Sequence, residues 1–423
     1  MTVRELARQI LNKCVLSEQY SNIALDTALS RNELSAADRG LLTALVYGVL
    51  ERGITLDYWI DSLSTAKNGV DDDTRTVLRL GLYQLAFLDR VPDHAAVNET
   101  VSLAPKRAKG LVNAVLRAFL RGGKSIALPD RASDTVSYLS VRYSFLPQIC
   151  RSFLEIYGLE RTESLLGAFC QQPPISLRVN TLKTSREEFI KRLEDAGYAP
   201  KSSPESPVGV TLARATVPSL PGFDEGLFFV QDEASQLCVE ALDAQKGMRV
   251  LDCCACPGSK SFGAAIAMGN EGEVVCCDLH ANKLSLVARG AERLGIKILT
   301  VGARDAREPN PAWEGRFDRV LCDVPCSGFG VFAKKPELRY KDPKRSEALP
   351  AIQSAILANS ASFLAPGGRL VYSTCTLLPR ENGEVVRAFL SEHPSFVAVR
   401  ERTLYPDVDG TDGFYFAVLE KRA

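Results

Sequence analysis

The sequence predicts a multidomain chain: an all-α domain over residues 1–130, linker helices with a small α+β subdomain over 131–230, and an α/β domain with a mostly parallel sheet over 231–423. Three observations carry this. Through the first 125 residues apolar positions recur at helical spacing and strand signals are absent. Between about 136 and 230 short strand-like runs flank a single amphipathic helix. From Asp232 onward short Val, Leu and Cys-rich runs alternate with helical stretches, the pattern of parallel βαβ units. A chain of 423 residues also exceeds the length one hydrophobic core can serve.

In the first domain the helical period runs through Leu6, Ile10 and Val15, then LLTALVYGVL, RTVLRLGLYQLAFL and GLVNAVLRAFL, giving four to seven helices. Pro92 interrupts the pattern, and the GGK at 122–124 with Pro129 closes the module. In the middle, PPISLRVNTLK, GVTLARAT and GLFFVQD read as strands, TSREEFIKRLEDAGY as a helix and KSSPESPVG as a turn-rich loop. Thr184 or Ser185 with Glu187 or Glu188 forms a capping box at the start of that helix. In the last domain MRVLDCC, EVVCCD, KILTVGA, FDRVLCDV and GGRLVYST are the strands, and TLYPDVDGTDGFYFAVLEK reads as two more around a turn.

The N-terminus mixes charges into its helical period and lacks the apolar stretch of a signal peptide, and no run is long enough to span a bilayer, so a cytoplasmic location is expected. Twelve cysteines in a reducing compartment are core residues, metal ligands or catalytic thiols before they are disulfides. With three histidines and no second cysteine pair at ligand spacing, no metal is expected despite Cys253 and Cys256. Lys plus Arg balances Asp plus Glu at 51 each, so total charge points to no partner. Local clusters do: Lys106, Arg107, Lys109, Arg117, Arg121 and Lys124 form one, and Lys334, Lys335, Arg339, Lys341, Lys344 and Arg345 another, each fit to neutralise phosphates. Nothing suggests a coiled coil, and a monomer is expected.

After the first strand of the α/β domain, the loop Cys254, Ala255, Cys256, Pro257, Gly258, Ser259 and Lys260 opens into a helix, which is where doubly wound folds bind a cofactor. It lacks the G-x-G-x-x-G of a dinucleotide loop, which disfavours an NAD dehydrogenase. Asp278 ends the second strand, in place to accept from ribose hydroxyls, and Asp305 follows the third, in place to meet an adenine amino group. Together they make a nucleoside pocket.

Two further loops, Asp323-Val324-Pro325-Cys326-Ser327-Gly328 and Ser373-Thr374-Cys375-Thr376, end the fourth and fifth strands, on the edge where such a sheet assembles its site. Carbon 5 of cytosine is a poor nucleophile until a thiolate adds to carbon 6, whereupon it becomes enamine-like and can accept a methyl group. Asp323, bonded to ring nitrogen 3, would stabilise that addition. Spacing alone leaves open which cysteine attacks. Cys253, Cys254, Cys276, Cys277 and Cys322 lie in apolar runs and read as core.

At these residues the chain resembles the bacterial 16S ribosomal RNA cytosine-C5 methyltransferases of the RsmB, or Sun, group. LSAADRGLLTALVYGVLERGITLDYWI, LRLGLYQLAFLDRVPDHAAVNETV and GLVNAVLRAFLR resemble the NusB RNA-binding fold, ISLRVNTLK the start of the group's small RNA-binding subdomain, and FVQDEASQL the approach to its Rossmann-like class I methyltransferase domain. The resemblance implies Cys375 as nucleophile, Cys326 as the thiol assisting release, and residues 254–260 with Asp278, Asp305 and Asp323 as the S-adenosylmethionine site. It implies 16S ribosomal RNA as partner, with transfer RNA or DNA methylation, or a non-catalytic RNA-binding adaptor, as alternatives; binding of S-adenosylmethionine separates enzyme from adaptor. The chain departs from the group at Cys256, Ser259 and Val324, where alanine, glycine and alanine are usual.

Overall fold

A computed structural model describes residues 2–17, 21–66 and 69–422, without the side chains of 15–17. The chain forms two compact units, Met1–Cys170 with Phe332–Pro343, and Gln171–Val331 with Lys344–Ala423.

The first unit is helical: α1 (Val3–Ser17), α2 (Ser21–Arg31), α3 (Ala36–Leu63), α4 (Asp72–Phe87), α5 (Asp93–Leu103), α6 (Lys109–Arg121), α7 (Thr135–Tyr143) and α8 (Pro147–Phe169). The apolar runs become its core, with Leu42, Leu45, Val77, Leu78, Val112 and Leu116 fully buried. Leu6 and Ile10 join it, while the Val15 side chain lies outside the described ones. Ser35 and Asp71 cap α3 and α4 by accepting from the backbone of Asp38 and Thr74. Pro92, expected as a break, is the N-cap residue of α5. Gly158, at φ 72°, kinks α8.

The segment Phe332–Pro343 completes this unit, and one part of the expected phosphate-binding cluster is overturned there. Arg339 is 1% exposed. Its guanidinium donates to the carbonyls of Glu51 at 3.1 Å, Tyr143 at 3.0 Å and Phe169 at 2.6 Å, and lies 4.5 Å from the Phe145 ring. Spread over carbonyls and an aromatic face, this cation is structural. Lys334, Lys335, Lys344 and Arg345 remain exposed.

The second unit begins with a four-stranded antiparallel sheet of β1 (Ile175–Val179), β2 (Lys201–Ser202), β3 (Gly209–Leu212) and β4 (Phe228–Val230), ordered β2-β3-β1-β4, with α9 (Arg186–Asp195) packed on it. The short β2 falls inside the segment read as loop. The capping box is Ser185 with Glu188, both arms present.

The rest is an α/β layer structure: α10 (Glu233–Leu242), β5 (Arg249–Asp252), α11 (Ser259–Ala267), β6 (Glu273–Asp278), α12 (Leu284–Leu294), β7 (Leu299–Ala303), β8 (Phe317–Asp323), α13 (Leu349–Ser362), β9 (Leu364–Thr374), α14 (Gly383–Glu392), β10 (Phe396–Leu404) and β11 (Phe414–Lys421). The sheet order is β10-β11-β9-β8-β5-β6-β7; β5 to β9 are parallel, and β11 runs antiparallel to β9 and β10. Both faces are covered. Val250, Cys276, Leu321 and Val371 pack with α10, α11 and α12, while their neighbours Leu251, Cys277, Cys322 and Tyr372 pack with α13 and α14. This is why the strands read as unbroken apolar runs. The chain order reverses at β5, which lies between β6 and β8, so the crevice for a ligand opens at its C-terminal end. Among the described residues no helix is long and apolar enough to cross a membrane.

Candidate active site

The loop after β5 sits at that switch point and is held from four sides. The Cys253 amide donates to Leu321 O at 3.0 Å, Ala255 to Cys277 O at 2.8 Å, and Cys256 to Asp278 Oδ2 at 3.2 Å. Asp252 Oδ2 accepts from Ser261 Oγ at 2.6 Å. Gly258, at φ 113°, then turns the chain into α11; a Cβ there would meet the Phe262 ring at 2.5 Å, so glycine answers both the backbone conformation and the space. Ser259 stands one residue later in α11, where helical geometry does not require glycine. Small residues thus lead the chain from the end of β5 into the amide-bearing start of α11.

Asp278 closes β6 and shapes the loop, its other oxygen accepting from the His280 amide at 2.9 Å. Asp305, just beyond β7, is bonded by Arg307 through side chain and backbone, which holds its carboxyl down at about 2. Both carboxylates therefore stand on the same sheet edge, at the ends of adjacent parallel strands.

Lys260, in the first turn of α11, turns its ammonium to Asp323, with Nζ 2.7 Å from Oδ2 and 5.3 Å from the centre of the Phe414 ring. Burial works against the Lys260 charge, but the Asp323 carboxylate and the thiols of Cys238 and Cys375 override it and raise its pKa above the ordinary value. Asp323 Oδ1 accepts from Ser373 Oγ at 2.7 Å, so one carboxylate joins the start of α11 to the end of β9, which leads into Cys375.

The two cysteine loops are fastened to each other. Cys326 Sγ and Cys375 Sγ are 3.3 Å apart, and the Ser327 and Thr376 hydroxyls 2.8 Å. The Gly330 amide donates to Cys375 O at 3.0 Å, and a Cβ on Gly330 would meet Gly413 O at 1.8 Å. Both thiols are half-buried, and neither is in a disulfide. The hydrogen bond with Cys375, then burial, pushes the Cys326 thiol well above the usual range. Cys253, Cys276, Cys277 and Cys322 are buried core residues, and Cys254 and Cys256 are partly exposed within the loop. Burial pushes the Cys256 thiol up to about 12. Among the described residues no group of His, Cys, Asp or Glu is placed to hold a metal ion.

Several site residues carried no signal in the sequence. Gln353, Glu381 and Asn382 sit among apolar or charged residues that read as helix and solvated turn, yet all three are buried and bonded to the cysteine loops. Arg178 of β1 is another: it donates to Gln231 Oε1 at 3.3 Å, and Gln231 donates to Ser259 O at 3.1 Å, linking the small sheet to the cofactor loop.

Three families describe successive parts of the chain: NusB over residues 1–121, an RsmF/B-like ferredoxin-like domain over 149–218, and 16S rRNA methyltransferase RsmB/F over 239–420. The chain is 36% identical over 444 residues to the Bacillus subtilis protein named "Probable ribosomal RNA small subunit methyltransferase B", covering 100% of this chain and 99% of that one. It is 35% identical to "Ribosomal RNA small subunit methyltransferase B" of Pseudomonas putida, over 100% and 99% of the two chains. The crystal structure of PH0851 matches with a TM-score of 0.82 at 26% identity over 99% of each chain. A methyltransferase homologue from Pyrococcus horikoshii matches at 0.62 and 27% identity, over 68% of this chain and 99% of that one.

Proposed function

The chain belongs to the 16S rRNA methyltransferase RsmB/F family, and from that membership we propose that it methylates carbon 5 of one cytosine in 16S ribosomal RNA through a covalent Cys375 adduct. The observation carrying this reading is the pair of sulfurs 3.3 Å apart beside the Lys260–Asp323 ion pair, at the switch-point edge of the sheet. S-adenosylmethionine would be held by residues 254–260 with Asp278, Asp305 and Asp323 and would supply an electrophilic methyl carbon.

The chain's own residues do the rest. The Cys375 thiolate forms a bond to carbon 6, and the proton that ring nitrogen 3 takes up as electron density moves onto it comes from the Lys260 ammonium, relayed by the Asp323 carboxylate. Carbon 5 would then bond the methyl carbon as that carbon's bond to the sulfonium sulfur breaks, the sulfur leaving as a neutral thioether. Cys326, as thiolate, then takes the carbon 5 proton and the sulfur–carbon bond breaks; Cys375 leaves as thiolate, and ring nitrogen 3 returns its proton through Asp323 to Lys260. A base stacked in RNA cannot meet two loops at a sheet edge, so the cytosine must be turned out of its stack. The helical unit and its exposed cations at Lys106, Arg107, Lys109, Arg117, Arg121 and Lys124 hold the RNA.

The test is a pair of variants. Cys375→Ala should abolish methyl transfer, whereas Cys326→Ala should accumulate a protein–RNA adduct seen as a shifted band on a denaturing gel. An adduct in the first variant and none in the second would exchange the two roles.

A further inference from the structure

Two thiols in van der Waals contact cannot both serve as the attacking group, and something must decide which gives up its proton. The buried surroundings of the pair are electrostatically lopsided. On the Cys375 side lies the Lys260 ammonium, neutralised in part by Asp323. On the Cys326 side lies Glu381, in the short turn Pro379–Glu381 that follows the Thr-Cys loop, with 0% exposure.

The Glu381 carboxyl is built into the Cys326 loop. Its Oε2 accepts from the Ser327 amide at 2.9 Å and from Gln353 Nε2 at 3.0 Å, and the same Gln353 nitrogen donates to Pro325 O at 3.0 Å. The backbone on both sides of Cys326 is thus tied to one carboxylate and one carboxamide. Both donors to Glu381 are neutral, and its Oε1 is buried without a hydrogen-bond partner. A buried carboxylate left so incompletely compensated is costly to hold for structure alone. The adjacent Asn382 does the matching work on the other loop, bonding Thr374 Oγ1 at 2.5 Å and Thr376 O at 2.9 Å.

We propose that Glu381 is a positioning residue that distinguishes the two sulfurs: it fixes the Cys326 loop and, as a buried negative charge, keeps the Cys326 proton in place so that Cys375 is the thiol that ionises. The inference rests on the reading of Cys375 as nucleophile. Among the described residues, ionisable groups that face Cys326 also include Cys375 and the buried phenol of Tyr372, which donates to Glu381 O at 2.6 Å. The neighbouring Arg380 turns its guanidinium to Ser346 Oγ at 2.7 Å. Once Cys375 is bonded to carbon its sulfur carries neither proton nor negative charge, and Cys326 is the remaining thiol of the pair. The two thiols then act in sequence.

The experiment is alkylation of the full-length chain by iodoacetamide across pH 6 to 10, without RNA or cofactor, with each cysteine followed by peptide mass spectrometry. In wild type, Cys375 should react before Cys326. In Glu381→Gln, which keeps an oxygen to accept from Ser327, the Cys326 rate near pH 7.5 should rise about tenfold, the equivalent of one pH unit in thiolate fraction. Cys375 should change much less, and Glu381→Asp should stay near wild type. An unmoved Cys326 profile in a Gln variant that melts like wild type, or equal shifts of both cysteines, overturns the proposal. If the Gln variant does not fold, the wild-type order decides: Cys326 reacting first overturns it. No RNA enters the assay, so failure of the methylation reading appears only in the adduct experiment and is told apart from failure here.

Discussion

Asp252 ends β5 with 1% exposure, and its carboxyl meets one hydroxyl and one amide instead of a cation. Burial raises its pKa from 3.8 to about 7, against the pull of Ser261. A carboxyl whose folded pKa lies above its unfolded one binds a proton more tightly when folded. The stability it lends is complete below about 3.8 and is lost as pH climbs through about 7. The melting temperature of wild type minus that of Asp252→Asn should therefore fall between about pH 4 and pH 7 and level off above. A difference that rises over this window would mean that Asp252 is charge-compensated at neutral pH, by Lys260 acting across the loop. Asp305 shows the opposite environment: solvated and gripped by Arg307, it stays ionised throughout that window.

At the scale of elements, what was legible in the sequence follows from how local its cause is. The capping box over α9 depends on four consecutive residues, and the structure has it at Ser185 and Glu188, with the Ser185 amide 3.0 Å from Glu188 Oε2 and the Glu188 amide 3.2 Å from Ser185 Oγ. Ser185→Ala should cost about 1 kcal/mol in urea-induced unfolding, and a loss below about 0.3 would show that packing of Phe189 and Leu193 holds the helix without its cap. The inner parallel strands β5, β6, β8 and β9 were equally plain, because burial on both faces leaves no polar alternation, whereas the exposed β10 (Phe396–Leu404) lies almost wholly before the segment read as the last two strands. The Cys326 loop was legible only in part. Its cysteine and aspartate stood out, but Gln353 reaches it from α13 and Glu381 from the turn after β9, and no spacing rule relates residues brought together by the closure of a sheet. For the same reason Arg339 looked like one more cation in a basic run, since only the folded helical unit reveals the carbonyls that surround it.

At the scale of the whole molecule, the balance of 51 basic and 51 acidic residues conceals two kinds of cation that ionic strength can separate. Lys106, Lys109 and Arg121 are exposed along and before α6, where each can displace counterions from a phosphate. Arg339 is enclosed, and its charge is spent on the helical unit itself. Changing the three exposed residues together to alanine should flatten the slope of log affinity for 16S ribosomal RNA against log salt by about two to three, with thermal stability unchanged. Arg339→Lys should leave that slope alone and lower stability by about 2 kcal/mol or more, because an ammonium cannot span three carbonyls as a planar fork does. A triple variant that binds with the original slope would move the RNA off the α6 surface. A flattened slope in a fully stable Arg339 variant would put that guanidinium on the RNA, against its burial.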